Sequence, residues 1–135
     1  MSHYTSITLE IRDRDSLVAA LADLGLSEVE VHDTPQHLYG YEGDVRPEKA
    51  EVIVRREHVG PLSNDIGFRK TDAGTYEAIV SEYDQGHGYG TDWRQRTLQR
   101  YGRHVAVARL AKRGFRVVRE EARDGKLHVV LRRSA

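Results

Sequence analysis

No cysteine occurs among the 135 residues. That excludes disulfides, thiolate zinc sites and cysteine nucleophiles, and it fits a reducing compartment. No stretch approaches the roughly 20 consecutive apolar residues that a membrane span needs. The opening Met1-Ser2-His3-Tyr4-Thr5-Ser6 lacks the basic and apolar regions of a secretory signal. The expectation is therefore a cytoplasmic protein with no membrane association. Low-complexity segments and interdomain linkers are also missing, so one domain over residues 1–135 is expected. Net charge is absent too, with 21 Lys+Arg against 21 Asp+Glu. Zero formal charge biases a protein toward association. With 39% hydrophobic and 31% charged residues, the chain reads as globular rather than disordered.

The zero balance hides a segregation. Residues 1–92 carry 8 basic against 18 acidic side chains, and residues 93–135 carry 13 basic against 3 acidic. One-sided fields steer partners of opposite sign, so this polarity points to an interaction surface without naming what it binds.

Periodicity supplies the elements. Ile7, Leu9 and Ile11 alternate as in a half-buried strand. Asp13 or Asp15 can cap a helix whose stripe is Leu17, Ala20, Leu21 and Leu24, and Gly25 stops it. Val29 and Val31 mark a short strand. Asp33-Thr34-Pro35-Gln36, Tyr39-Gly40-Tyr41-Glu42-Gly43 and Pro47 read as a turn-rich stretch holding a hairpin or an irregular excursion, and Ala50 to Arg56 as a strand. Gly60-Pro61-Leu62-Ser63-Asn64 is a turn by composition. Ile66 and Phe68, then Tyr76, Ala78 and Val80, predict two strands around the Lys70–Gly74 loop. The longest helix is predicted from about Thr91 to Arg113. Thr97, Leu98, Tyr101, His104, Val105, Ala108 and Ala111 share one side of it, and Arg96, Arg100 and Arg103 lie on the other. Gly114 ends it. Phe115-Arg116-Val117-Val118 and Leu127–Leu131 then flank the hairpin signal Asp124-Gly125. Runs of hairpins favour the α+β class, here a mainly antiparallel sheet with two helices packed on one face.

Several segments occur in a suggestive order. They are Met1-Ser2-His3-Tyr4 before a strand and helix, Tyr39-Gly40-Tyr41, Asn64-Asp65-Ile66-Gly67-Phe68 before Tyr76, Leu98-Gln99-Arg100-Tyr101 through Ala111-Lys112-Arg113-Gly114-Phe115, and the closing hairpin. Over nearly the whole chain they resemble the hypothetical chloroplast reading frame thirty-five family, also described as domain of unknown function twelve fifty-seven. The Gln85–Gly90 loop departs from that pattern. The resemblance implies no established activity and carries over no catalytic residue. It implies an accessory role beside AAA-type ATPases, which is association and not mechanism.

Candidate chemistry is sparse. Arg96, Arg100 and Arg103 form a basic stripe, extended by Arg109, Lys112 and Arg113 where the helix dipole favours cations. The plainer reading is a solvated face whose arginines pair with the acidic first two-thirds of the same chain. Gly86-His87-Gly88-Tyr89-Gly90 feeds a helix start, where exposed amides attract anions. Its spacing matches no phosphate-binding signature and Asp92 opposes an anion, so a flexible connection with Thr91 or Asp92 capping the helix is the simpler use. The seven histidines show no helical metal-ligand pair, so no metal site and no cofactor is expected. His104 reads as a hydrogen-bonded, near-core side chain. Asp65, Glu77, Glu82 and Asp84 are candidates for paired carboxylates, although a solvated strand face is the commoner use. No serine lies in a G-x-S-x-G context. Trp93 and Tyr101 read as anchors between helix and sheet.

The expectation is a non-enzymatic accessory or adaptor protein. It would bind a protein partner through Arg96, Arg100, Arg103, Arg109 and Arg113. Three alternatives stay open. One is a small-ligand or anion-binding module, conceivably an enzyme, at Gly86, His87, Gly88, Tyr89 and Gly90. The others are nucleic-acid binding, disfavoured by the neutral total and the lack of a known module, and self-association of the two charged ends.

Overall fold

A computed structural model describes residues 3–134. Met1 and Ser2 of the opening motif lie outside the described residues. The elements are β1 (Tyr4–Thr8), α1 (Arg14–Asp23), β2 (Val29–Tyr39), β3 (Val45–Val54), α2 (Arg56–Val59), β4 (Ile66–Lys70), β5 (Tyr76–Ser81), α3 (Glu82–Gln85), α4 (Thr91–Ala111), β6 (Phe115–Arg123) and β7 (Lys126–Arg133). The first five strands form one sheet in the order β1-β5-β4-β3-β2, every pair antiparallel. This is the α+β architecture expected. The closing hairpin does not join that sheet but stands as a separate two-stranded ribbon of β6 and β7. No helix among the described residues is long and apolar enough to cross a membrane.

Strand alternation explains the core. Val52, Val54, Ile66, Phe68, Tyr76, Ala78 and Val80 point to one face, where they meet Leu17 and Leu21 of α1 and Trp93 of α4. Fully burying an aliphatic or aromatic side chain of this size stabilises by about 1.5–3 kcal/mol. The opposite face holds a smaller cluster of Leu38, Ala50, Ile53 and Ile79. Gly67 makes that second layer fit. A Cβ there would sit 2.7 Å from the Ala50 methyl and 3.0 Å from a Leu38 methyl.

The stretch after Val31 forms a hairpin, one of the two forms expected, but its turn lies later than the first turn signal. Asp33-Thr34-Pro35-Gln36 is not a turn, because β2 runs through it as an edge strand with an irregular register between Val31 and Gln36. Proline lacks a ladder N–H and is tolerated on such an edge. The chain reverses later, where the Gly40 N–H donates to the Asp44 carbonyl at 2.8 Å.

Capping fixes the helices. The Asp13 carboxylate accepts from the Ser16 N–H at 3.1 Å, and Gly25 ends that segment at φ +91°. The Tyr101 hydroxyl accepts from the backbone N–H groups of Arg12 and Asp13, both at 2.9 Å. Tyr101 thereby ties the start of α1 to the middle of α4, so its hydroxyl anchors the long helix to α1 and not to the sheet as expected.

Candidate interaction surface

Helix α4 starts on the sheet and leaves it. Trp93 and Thr97 are buried, and the Thr97 hydroxyl donates to the Trp93 carbonyl at 2.8 Å. From Leu98 to Ser134 no residue is fully buried. The outer half of α4 and the β6–β7 ribbon make a C-terminal arm, and this arm carries most of the positive charge.

A polar network holds the arm against the body. Arg100 Nε donates to Asp23 Oδ2 of α1 at 2.8 Å, and its Nη1 donates to Glu120 Oε1 of β6 at 2.8 Å. Arg103 Nη2 donates to Glu120 Oε2 at 3.1 Å. His104 Nε2 lies 2.6 Å from Asp23 Oδ2. Desolvation pushes the carboxyls of Asp23 and Glu120 up, but the hydrogen bonds from the surrounding cations outweigh it and hold both below their usual values.

The network takes in two of the three arginines of the expected stripe. Arg100 and Arg103 are not free cations, because Asp23 and Glu120 engage them from two other elements. The carboxylates come from residues 77 and 20 positions away from Arg100. Pairing with the acidic first two-thirds of the chain is realised by Arg100 through Asp23, whereas Glu120, which engages both Arg100 and Arg103, belongs to the basic C-terminal part. Arg96, Arg109 and Arg113 are exposed and have no ion pair among the described residues. His104 is half-buried and hydrogen-bonded, as expected.

The glycine-rich loop is built mainly as a tight connection. His87 stacks on Tyr83 at 4.0 Å between ring centroids, with its Nδ1 2.7 Å from the Tyr83 carbonyl oxygen. Gly86 follows α3, and Gly88 has φ +105°. The Tyr89 hydroxyl donates to the Val59 carbonyl at 3.1 Å, and its ring meets Trp93 edge-on at 5.2 Å. Burial, helped by the Asp84 charge, raises the Tyr89 hydroxyl above its ordinary value. Gly90 is itself the N-cap of α4, without a side-chain cap, so neither Thr91 nor Asp92 caps the helix. A Cβ at Gly90 would lie 2.6 Å from the Gln85 carbonyl oxygen. Gly88, Gly90 and Arg96 do line a common open depression of about 380 Å³, which also contains Asp92.

The candidate carboxylates separate into different jobs. Asp65 is fully buried and accepts from the N–H groups of Tyr39 and Arg56 at 2.7 Å and from Arg55 Nη1 at 2.8 Å. Arg55 also grips Glu30, and these partners raise its guanidinium further above its already high value. Asp84 accepts from the Asn64 N–H at 3.0 Å and the Ser81 hydroxyl at 2.8 Å. Glu77 faces Arg69. Asp65 and Asp84 are therefore brackets joining strand ends and loops, a role the bare Asn64-Asp65 pair did not signal. Among the described residues no group of three or more His, Cys, Asp or Glu side chains is placed to hold a metal ion.

A family model described as protein of unknown function (DUF1257) matches residues 20–130. The chain belongs to that family. The DUF1257 match takes in Asp23, Arg100, Arg103 and Glu120, so the network lies wholly inside the matched region. Neither a curated protein nor a solved structure matches the chain.

Proposed function

We propose that this DUF1257 member is a non-enzymatic accessory protein that binds another protein through the basic surface of its C-terminal arm. The observation that carries the reading is the surplus of cations there. The internal network engages Arg100 and Arg103, while Arg96, Arg109 and Arg113 remain exposed without an ion pair among the described residues. Arg116 also stands directly opposite Arg132 in the ribbon, and like charges in that position destabilise a strand pair until an anion lies over them. The partner surface is acidic on these grounds. An AAA-type ATPase system is the partner class that the family resemblance adds.

The test is a pull-down with the full chain at low and high salt, with captured proteins identified by mass. An Arg96/Arg109/Arg113→Glu variant that keeps the native circular dichroism spectrum loses the specific partner. Undiminished recovery overturns the reading.

The depression shared by Gly88, Gly90 and Arg96 favours a second reading, an anion site at the start of α4. Inorganic phosphate or a nucleotide bound there raises the melting temperature, because ligand binding to the native state alone stabilises it. No shift, or the same shift in Arg96→Gln, removes this alternative. Nucleic-acid binding predicts affinity that falls steeply with salt in an anisotropy assay.

A further inference from the structure

The two edges of the β6–β7 ribbon differ. β6 carries a register irregularity between Val117 and Arg119, and α4 packs mainly over this strand. Bulges and covering helices are the ordinary ways to blunt an edge against pairing. β7 is less protected, because α4 packs on it more lightly than on β6. It pairs with β6 on one side, the extra residue of the irregularity lying on β6, and among the described residues the ribbon contains no further strand. Its sequence Lys126-Leu127-His128-Val129-Val130-Leu131-Arg132-Arg133 contains no proline and no acidic residue.

Beside that edge lies an open groove of about 550 Å³ between β7 and α4. Leu127, Val129 and Leu131 form its wall and are only half-buried. Gly102 and Ala106, one helical turn apart, form its floor. A Cβ added at Gly102 would meet nothing within 4 Å, so the floor is uncovered and not merely small. The charged side chains lining the groove are Arg103 and Lys126, and no carboxylate lines it.

The geometry points to an extended acidic segment of a partner protein that adds to β7 as a third strand, with alternate apolar side chains seated on Gly102 and Ala106. The backbone of β7 supplies the hydrogen bonds, and the alternating pockets supply the preference. Charge selects the occupant. A second copy pairing β7 with β7 antiparallel would bring Lys126 of one molecule toward Arg132 and Arg133 of the other, which repels. An alternation of acidic and apolar residues instead neutralises the basic edge and fills the groove. The inference rests on the adaptor reading and specifies where on the arm the partner attaches.

The experiment uses the full chain and a fluorescein-labelled peptide alternating valine and glutamate. Anisotropy measures binding, and hydrogen exchange reads the β7 amides. Saturable binding is expected, with slowed exchange along β7. Affinity should fall by about ten-fold or more, roughly 1.4 kcal/mol, in Gly102→Leu and in Lys126→Glu. A valine–lysine peptide should not bind. Binding without slowed β7 exchange, or unaffected by Gly102→Leu, overturns strand addition and leaves the adaptor reading in place. So does an absence of peptide binding while the pull-down still recovers a partner through Arg96, Arg109 and Arg113. Concentration-dependent dimerisation abolished by Gly102→Leu makes the occupant a second copy and overturns the acidic segment. Loss of the pull-down result alone strikes the adaptor reading, not the measured β7 contact.

Discussion

The five-stranded sheet and the β6–β7 ribbon are both antiparallel, yet they are held in place by different forces. The sheet has apolar side chains on two faces, with Leu17, Leu21 and Trp93 over one and Leu38 over the other. The ribbon has one half-covered face and is fastened to the body by the Asp23–Arg100–Glu120–Arg103 network. Burial of hydrocarbon is largely indifferent to salt and pH, whereas partly exposed ion pairs respond to both. The comparison teaches that the body and the arm should lose structure under different conditions, with the arm opening first.

The largest effect should come from Phe68→Ala, which empties the centre of the main core. A loss of about 3–5 kcal/mol in denaturant-measured stability is expected, against a far smaller loss for Val129→Ala in the ribbon. Equal losses would mean that the arm and the body form one cooperative core. Asp65→Ala should cost about 3 kcal/mol, since it leaves the Tyr39 and Arg56 N–H groups without their acceptor and takes one of the two carboxylates from Arg55, which keeps Glu30.

Glu120→Gln sharpens the comparison from the other side. Global stability should change by about 1 kcal/mol or less, while hydrogen exchange and proteolysis accelerate over residues 115–133. Acid should act at the same place. The carboxyls of Asp23 and Glu120 lie below their usual values in the folded protein, so a detached arm binds protons more readily than a docked one. Their stabilisation is complete above the ordinary carboxylate range and is lost as pH falls through the depressed values. Exchange along the arm should therefore rise below about pH 4 while the sheet stays protected, and Glu120→Gln should flatten that dependence. The smallest effect is Gly102→Ala, a gain of about 0.5–1 kcal/mol in helix stability, because the added methyl meets open space. A loss instead would show that the groove is already filled in solution.

Sequence patterns made much of the body legible. Alternation placed Ile66, Phe68, Tyr76, Ala78 and Val80 on strands. A cap at Asp13 or Asp15, the Gly25 stop and the Asp124-Gly125 turn were readable because each is settled within a few residues, and the structure uses Asp13. The Pro35 segment misled, since turn composition and an irregular edge strand look alike without the neighbouring strand. Tyr89 was open to a ligand-contact reading because its packing on Trp93 depends on how the loop folds back.

Sequence alone determined the α+β class, most strand and helix positions, and the accumulation of positive charge after Asp92. These follow from side-chain period, backbone sterics and simple composition, all of them short-range or additive. Tertiary structure decided which cations remain available. Asp23 reaches Arg100 across 77 positions of chain, and no local rule foretells such a pairing. It also decided that the closing hairpin stands apart with β7 unpaired on one side, because a strand's partner is set by where the chain brings it, not by its own residues.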